Sequence, residues 1–140
     1  MYYQKGKTTW NANNRVSWDT FEGNPDWDSE YDATIFSNIN YRYRVEFDEV
    51  HFVAVAYFDR LRSWHKDGTE PLLEHEKMHF DITELYAAKL RKFFKGIQSL
   101  DEVPARSQID RNVQLILDEW DYVQNKYDNE TQHGLNYPEQ

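Results

Sequence analysis

The segment "LLEHEKMHF" at residues 72–80 holds the residues of this chain best suited to chemistry. His75 and His79 stand four apart, with Glu76 directly after the first. On a helix the two imidazoles lie about 40° apart in projection and one turn apart along the axis, so both can reach one cation. Glu76 points about 100° away from His75, awkward for a third ligand but well placed beside a water held by that cation. The chemistry this spacing suits is metal-assisted hydrolysis, with two ligands and a general base drawn from a single turn. The chain has no cysteine, so any metal must be held by His, Asp or Glu. "EHEK" would also suit a solvated charged face. The buried-type residues around it, "PLL" before and "MHFDI" after, favour the site.

A catalytic zinc wants three protein ligands and one open position. One common continuation places Gly three residues after the second His and another His three later. Ile82 and Leu85 occupy those positions, which excludes that class. A carboxylate from a following helix is available in Glu119, Asp121, Asp128 or Glu130. The other source is "YDNETQHG", where His133 precedes a chain turn at Gly134. His51 and His65 fall in a strand and at a turn, where a histidine is more often structural. Imidazole is the commoner ligand and a loop at a helix end can aim it, so His133 is the expected third ligand and Asp128 the alternative. Glu76 is the expected general base, taking a proton from zinc-bound water and returning it to the leaving amine. Tyr86, Tyr127 and Tyr137 are candidate donors to an oxyanion, and the spacing selects none of them.

The elements that must position these residues divide the chain in two. Up to about residue 65 it reads as strands and loops. "ATIFSNINYRYRVEF" alternates with period two, as a half-buried strand does, while "HFVAVAYF" is apolar throughout and reads as a more buried partner. "FDEV" supplies the reversal between them. The edge of "HFVAVAYF" is a candidate to receive an extended peptide. From Thr69, a good N-cap, with Pro71 in the first turn, the residues turn to helix formers, and Gly96 marks the expected stop. A second helix is expected from near Pro104 to about Glu130. Its apolar stripe Ile109, Val113, Ile116, Trp120, Val123 and Tyr127 is read as packing. The expected fold is one α+β domain over 1–140: an antiparallel or mixed sheet packed on two long C-terminal helices, the helical half spanning about 69–134.

Composition narrows the partners. The formal net charge is −9, which argues against nucleic acid or an anionic membrane. No stretch approaches the roughly 18 apolar residues of a membrane-spanning helix. The opening "MYYQKGKTTWN" lacks the apolar core of a signal peptide, so the expectation is a cytoplasmic protein or one numbered after removal of a leader.

"HEKMHFDITELYAAKLRK" and "YDNETQHG" together resemble the predicted secreted zinc-dependent proteases of bacteria, a family of unknown function. Members pair His-Glu-x-x-His-Phe-Asp-x-x-Glu-x-Tyr-Ala with a terminal Tyr-Asp-x-x-Thr-x-His-Gly. Both patterns are met, by His75, Glu76, His79, Phe80, Asp81, Glu84, Tyr86 and Ala87, then Tyr127, Asp128, Thr131, His133 and Gly134. "VSWDTFEGNP" is similar to the family's opening, with Thr20 where an Asp is usual. Lys77 and Met78 stand where Gln-Gly is common. The resemblance implies a zincin-like fold, bound zinc, proteolysis of a peptide or protein, and export to the periplasm or beyond. Two other functions compete: a non-hydrolytic domain whose helices zinc staples, and a glycan or protein recognition module built on Trp10, Trp18 and Trp27.

Overall fold

The computed structural model describes residues 6–13 and 16–131. The first half contains β1 (Lys7–Thr9), a 3-10 turn at Trp18–Thr20, β2 (Ala33–Thr34), β3 (Ser37–Glu46), β4 (Glu49–Asp59) and β5 (Trp64–His65). The second contains α1 (Glu70–Gln98) and α2 (Arg106–Thr131). The architecture is α+β, and every strand pairing is antiparallel, so the mixed sheet drops out.

β3 and β4 form a hairpin registered from Ser37 opposite Phe58 to Glu46 opposite Glu49. Phe47 and Asp48 make the reversal, both with positive φ, 52° and 60°. That mirror-image turn matches the right-handed twist of paired strands, although Asn-Gly is its usual sequence. β1 joins the far side of β4, giving the order β1-β4-β3, while β2 and β5 form a separate pair.

β4 is more buried than β3, as expected, and its burial alternates. Val50, Ala54, Ala56 and Phe58 face the core, while Val53 on the opposite face is exposed. Among the described residues a helix covers only one face of the sheet, which is the usual condition for alternation. β4 is also the central strand. Where β1 stops, Arg91 Nη1 donates to the Ala54 carbonyl at 2.8 Å and Gln98 Nε2 donates to that of Val50. The edge expected to receive a peptide is therefore occupied, and the long edge with one strand neighbour belongs to β3.

α1 begins as its sequence dictates, with the Leu72 N–H donated to Thr69 Oγ1 and Pro71 in the first turn. It runs past Gly96 and ends where Ser99 caps the Gly96 carbonyl with both N–H and Oγ. One α1 face buries Leu73, Phe80, Ala87, Leu90, Phe94 and Ile97 against the sheet and against Ile109 and Val113 of α2. Gly68 permits a close approach just before α1: a Cβ there would come within 2.5 Å of the Trp18 indole. No helix of the described residues is long and apolar enough to cross a membrane.

Candidate metal centre

α1 and α2 run antiparallel, since His75 meets Asp128 and Thr131, His79 meets Gln124, and Thr83 meets Trp120. This pairing brings the two histidines of α1 onto one carboxylate of α2. Asp128 Oδ1 lies 2.6 Å from His79 Nε2 and 3.2 Å from His75 Nε2. Both imidazoles are buried. Among the described residues these three form the one group of His, Cys, Asp or Glu able to share a cation, with ligand atoms all within 4.8 Å of one another.

The surrounding hydrogen bonds say where the protons are. Thr131 Oγ1 donates its single proton to the Tyr127 carbonyl at 2.7 Å. Toward His75 Nδ1, 3.3 Å away, it is left to accept, so Nδ1 carries the hydrogen and Nε2 presents a lone pair to the site. The Tyr127 ring stacks on His75 at 4.7 Å and meets His79 edge-on at 5.0 Å, which holds both rings in place. His79 Nε2 and Asp128 Oδ1 share a proton at 2.6 Å; with that proton gone, the two imidazole nitrogens and the carboxylate oxygen are electron-pair donors converging on one point. They match the ligand chemistry of zinc.

Glu76, only 5% exposed, borders the same space. Its Oε2 accepts the Ile35 N–H at 3.1 Å. Burial pushes its carboxyl up to about 7; the His79 charge and the Ile35 N–H pull it back, and Asp128 adds to the rise. For His79, burial acts to lower the pKa, but the hydrogen bond and charge of Asp128, with help from Gln124 and Glu76, carry it above the ordinary histidine value. Burial, then the charges of Glu76 and Asp128, hold the Tyr127 phenol up at about 12, and its buried hydroxyl has no hydrogen-bond partner among the described residues. The ligands and Glu76 open onto a cavity of about 310 Å³, walled by Tyr31, Trp120 and the segment Ala33–Ser37 that leads into β3.

Of the residues singled out from the sequence, the structure assembles His75, His79, Glu76 and the alternative ligand Asp128. The expected ligand His133, and Tyr137, lie outside the described residues. Tyr86 is buried beneath the Lys89 ammonium. Asp81 accepts the Trp10 indole N–H and Glu84 pairs with Arg91, so both serve the scaffold. Trp18 packs on Phe21 and His65, whereas Trp27 is 73% exposed. Sequence reasoning missed Gln124, Thr83 and Tyr31, and named Thr131 only as part of the family pattern, without a role. For two of these a signal exists: Gln124, Asp128 and Thr131 recur at steps of four and three, a polar row on one helix face.

A small antiparallel sheet backed by two helices, with a His-His-Asp centre between them, defines an α+β domain equipped to hold a metal. The chain belongs to the family described as "Bacterial protein of unknown function (DUF922)", which matches residues 4–134. No curated protein and no solved structure matches it.

Proposed function

We propose that this domain is a zinc-dependent metallopeptidase with a zincin-like site. The observation that carries the reading is the convergence of His75 Nε2, His79 Nε2 and Asp128 Oδ1 beside the buried Glu76 carboxylate, all facing one cavity. His75, His79 and Asp128 would hold the ion. A zinc bound there supplies Lewis acidity, polarising a carbonyl and making water acidic near neutrality. Glu76 takes the proton of the attacking water and delivers it to the leaving amine, a role that requires a carboxylate within reach of both. The Ile35 N–H fixes Oε2 and so aims the group. A nearby cation draws the raised Glu76 pKa back down, keeping the base ionised at neutral pH.

A peptide or protein substrate fits the cavity's place beside the long edge of β3, where an extended chain finds main-chain partners. His133, read from the sequence as a ligand, competes with Asp128 for the third position, and a chelator titration of variants at the two residues orders them. Export rests on the family resemblance alone.

The test is hydrolysis by the purified protein with and without chelator, beside Glu76→Gln. We expect chelator-sensitive cleavage of a peptide library by the wild type. Glu76→Gln is expected to keep stoichiometric zinc while losing roughly a hundredfold or more in rate. Undiminished cleavage by the variant overturns the assignment of the base. Stoichiometric zinc with no peptide cleaved by the wild type points instead to a metal that staples the helices.

A further inference from the structure

Gln124 lies one turn before Asp128 on α2 and donates nothing to the ligand set. Its Oε1 stands 2.6 Å from His79 Nδ1. Its Nε2 donates to the His79 carbonyl at 3.1 Å and to Thr83 Oγ1 at 2.9 Å. Thr83 has one hydroxyl proton and gives it to the same His79 carbonyl at 3.0 Å, so toward Gln124 it can only accept. Turning the amide over would set its oxygen against two acceptors and its NH2 against the imidazole. The orientation is therefore fixed by the partners and not by convention. Thr83 itself is fully buried and bound further, by Ser37 Oγ of β3 at 2.8 Å and by the Trp120 indole N–H at 3.3 Å. The amide is thus anchored to α1 directly and to β3 through one hydroxyl.

An amide oxygen accepts and never donates. Facing it, His79 carries a hydrogen on Nδ1, while Nε2 is hydrogen-bonded to Asp128 Oδ1 at 2.6 Å and presents a lone pair only once that second proton has left. Once one ring proton has left, Gln124 and Asp128 compete for the other, and a ring without the Gln124 acceptor keeps it on Nε2, where it blocks a ligand position. We propose that Gln124 is the positioning residue of the metal centre, fixing the tautomer and ring plane of His79 through Oε1 while Thr83 fixes Gln124. This rests on the metal reading above. It adds a residue on the cavity wall that is not itself a ligand yet sets how well the metal is held, as an outer hydrogen-bond partner does for other metal-bound histidines.

The experiment compares the wild-type chain with Gln124→Leu, Gln124→Met and Gln124→Glu by two measurements. The first is long-range proton–nitrogen NMR of the His79 ring in metal-free protein, held above the histidine titration range. The second is zinc affinity by competitive chelator titration. We expect a measurable Nδ1–H share in the wild type and in Gln124→Glu, which keeps an acceptor, and its loss to Nε2–H in the Leu and Met variants. Zinc affinity is expected to fall on the order of 10–100-fold in Leu and Met and to recover largely in Glu. A His79 tautomer unchanged in both non-accepting variants overturns the role of Gln124, as does a Glu variant that binds zinc no better than Leu. A wild type that takes up no zinc while the tautomer still shifts in the variants supports the part Gln124 plays and overturns the metal reading alone.

Discussion

The two helices that meet at the centre carry its parts in different ways. α1 concentrates them: two ligands and a carboxylate fall within five consecutive residues, on a helix whose other positions pack against the sheet. α2 spreads them along one polar row of Gln124, Asp128 and Thr131, confined to its last two turns, while its first turns hold Ile109 and Val113 in the core. The difference teaches that one helix can carry the reactive groups compactly when a second supplies their orientation. Orientation needs only single hydrogen bonds at turn-spaced positions, which resemble ordinary surface polarity in a sequence.

Substitutions test that division directly. His75→Ala or His79→Ala, on the α1 side, is expected to abolish stoichiometric zinc by elemental analysis; retention by either variant removes the site as described. On the α2 side, Asp128→Asn is expected to weaken zinc beyond the roughly 10–100-fold of an outer partner. A smaller loss there, beside a larger one for His133→Ala, assigns the third ligand to His133. At the opposite end of α2, Ile109→Ala should cost roughly 2–5 kcal/mol of stability through the cavity it leaves. Chemical denaturation measures that cost, and zinc affinity of the folded variant should stay at the wild-type value. A parallel loss of zinc would mean that the two ends of α2 act as one unit.

The smallest effect is a pH dependence. In metal-free protein the Glu76 carboxyl titrates near 7 instead of at 4.5, so the folded state binds its proton more tightly than the unfolded chain does. Stability from this group is fully present below about pH 4.5 and is lost as pH rises through 7. The raised pKa of His79 extends the loss upward in the same sense. Zinc requires ligands free of protons, so its affinity rises with pH. Calorimetry should show the melting temperatures of zinc-loaded and chelator-treated protein moving apart as pH increases. Curves that stay parallel would detach these groups from the metal.

Much of this organisation was legible in the sequence. The reversal at "FDEV", the Thr69 cap and the His-Glu-x-x-His turn each follow from a local rule, and the structure keeps them. The period-two stretch "ATIFSNINYRYRVEF" is kept only in part: it breaks at Ile35 and Phe36 into β2 and β3, which join different sheets, and Tyr41 and Val45 are exposed. The helix does not stop at Gly96 because that glycine does not take the positive φ of a C-terminal glycine cap, and Ser99 caps the helix three residues later. "HFVAVAYF" is the more buried strand of the pair, as its apolar content implies, but that content does not reveal that one face of the sheet lacks a covering layer. The α2 stripe was read as packing, and Ile109 and Val113 obey that. Trp120 and Tyr127 share its periodicity yet border the cavity and stack on His75, because a helix crossing a site presents one stripe to both core and centre.

The closure of β4 by Arg91 and Gln98 has a consequence for self-association. A sheet with two long free edges can accept a copy on each side and so propagate into a fibre. Here β1 offers three residues, and the Val50 and Ala54 carbonyls beyond it are already hydrogen-bonded. Among the described residues the long edge left for a copy of this sheet is β3, and β3 against β3 is a two-fold contact that uses up its own surface and stops at a pair.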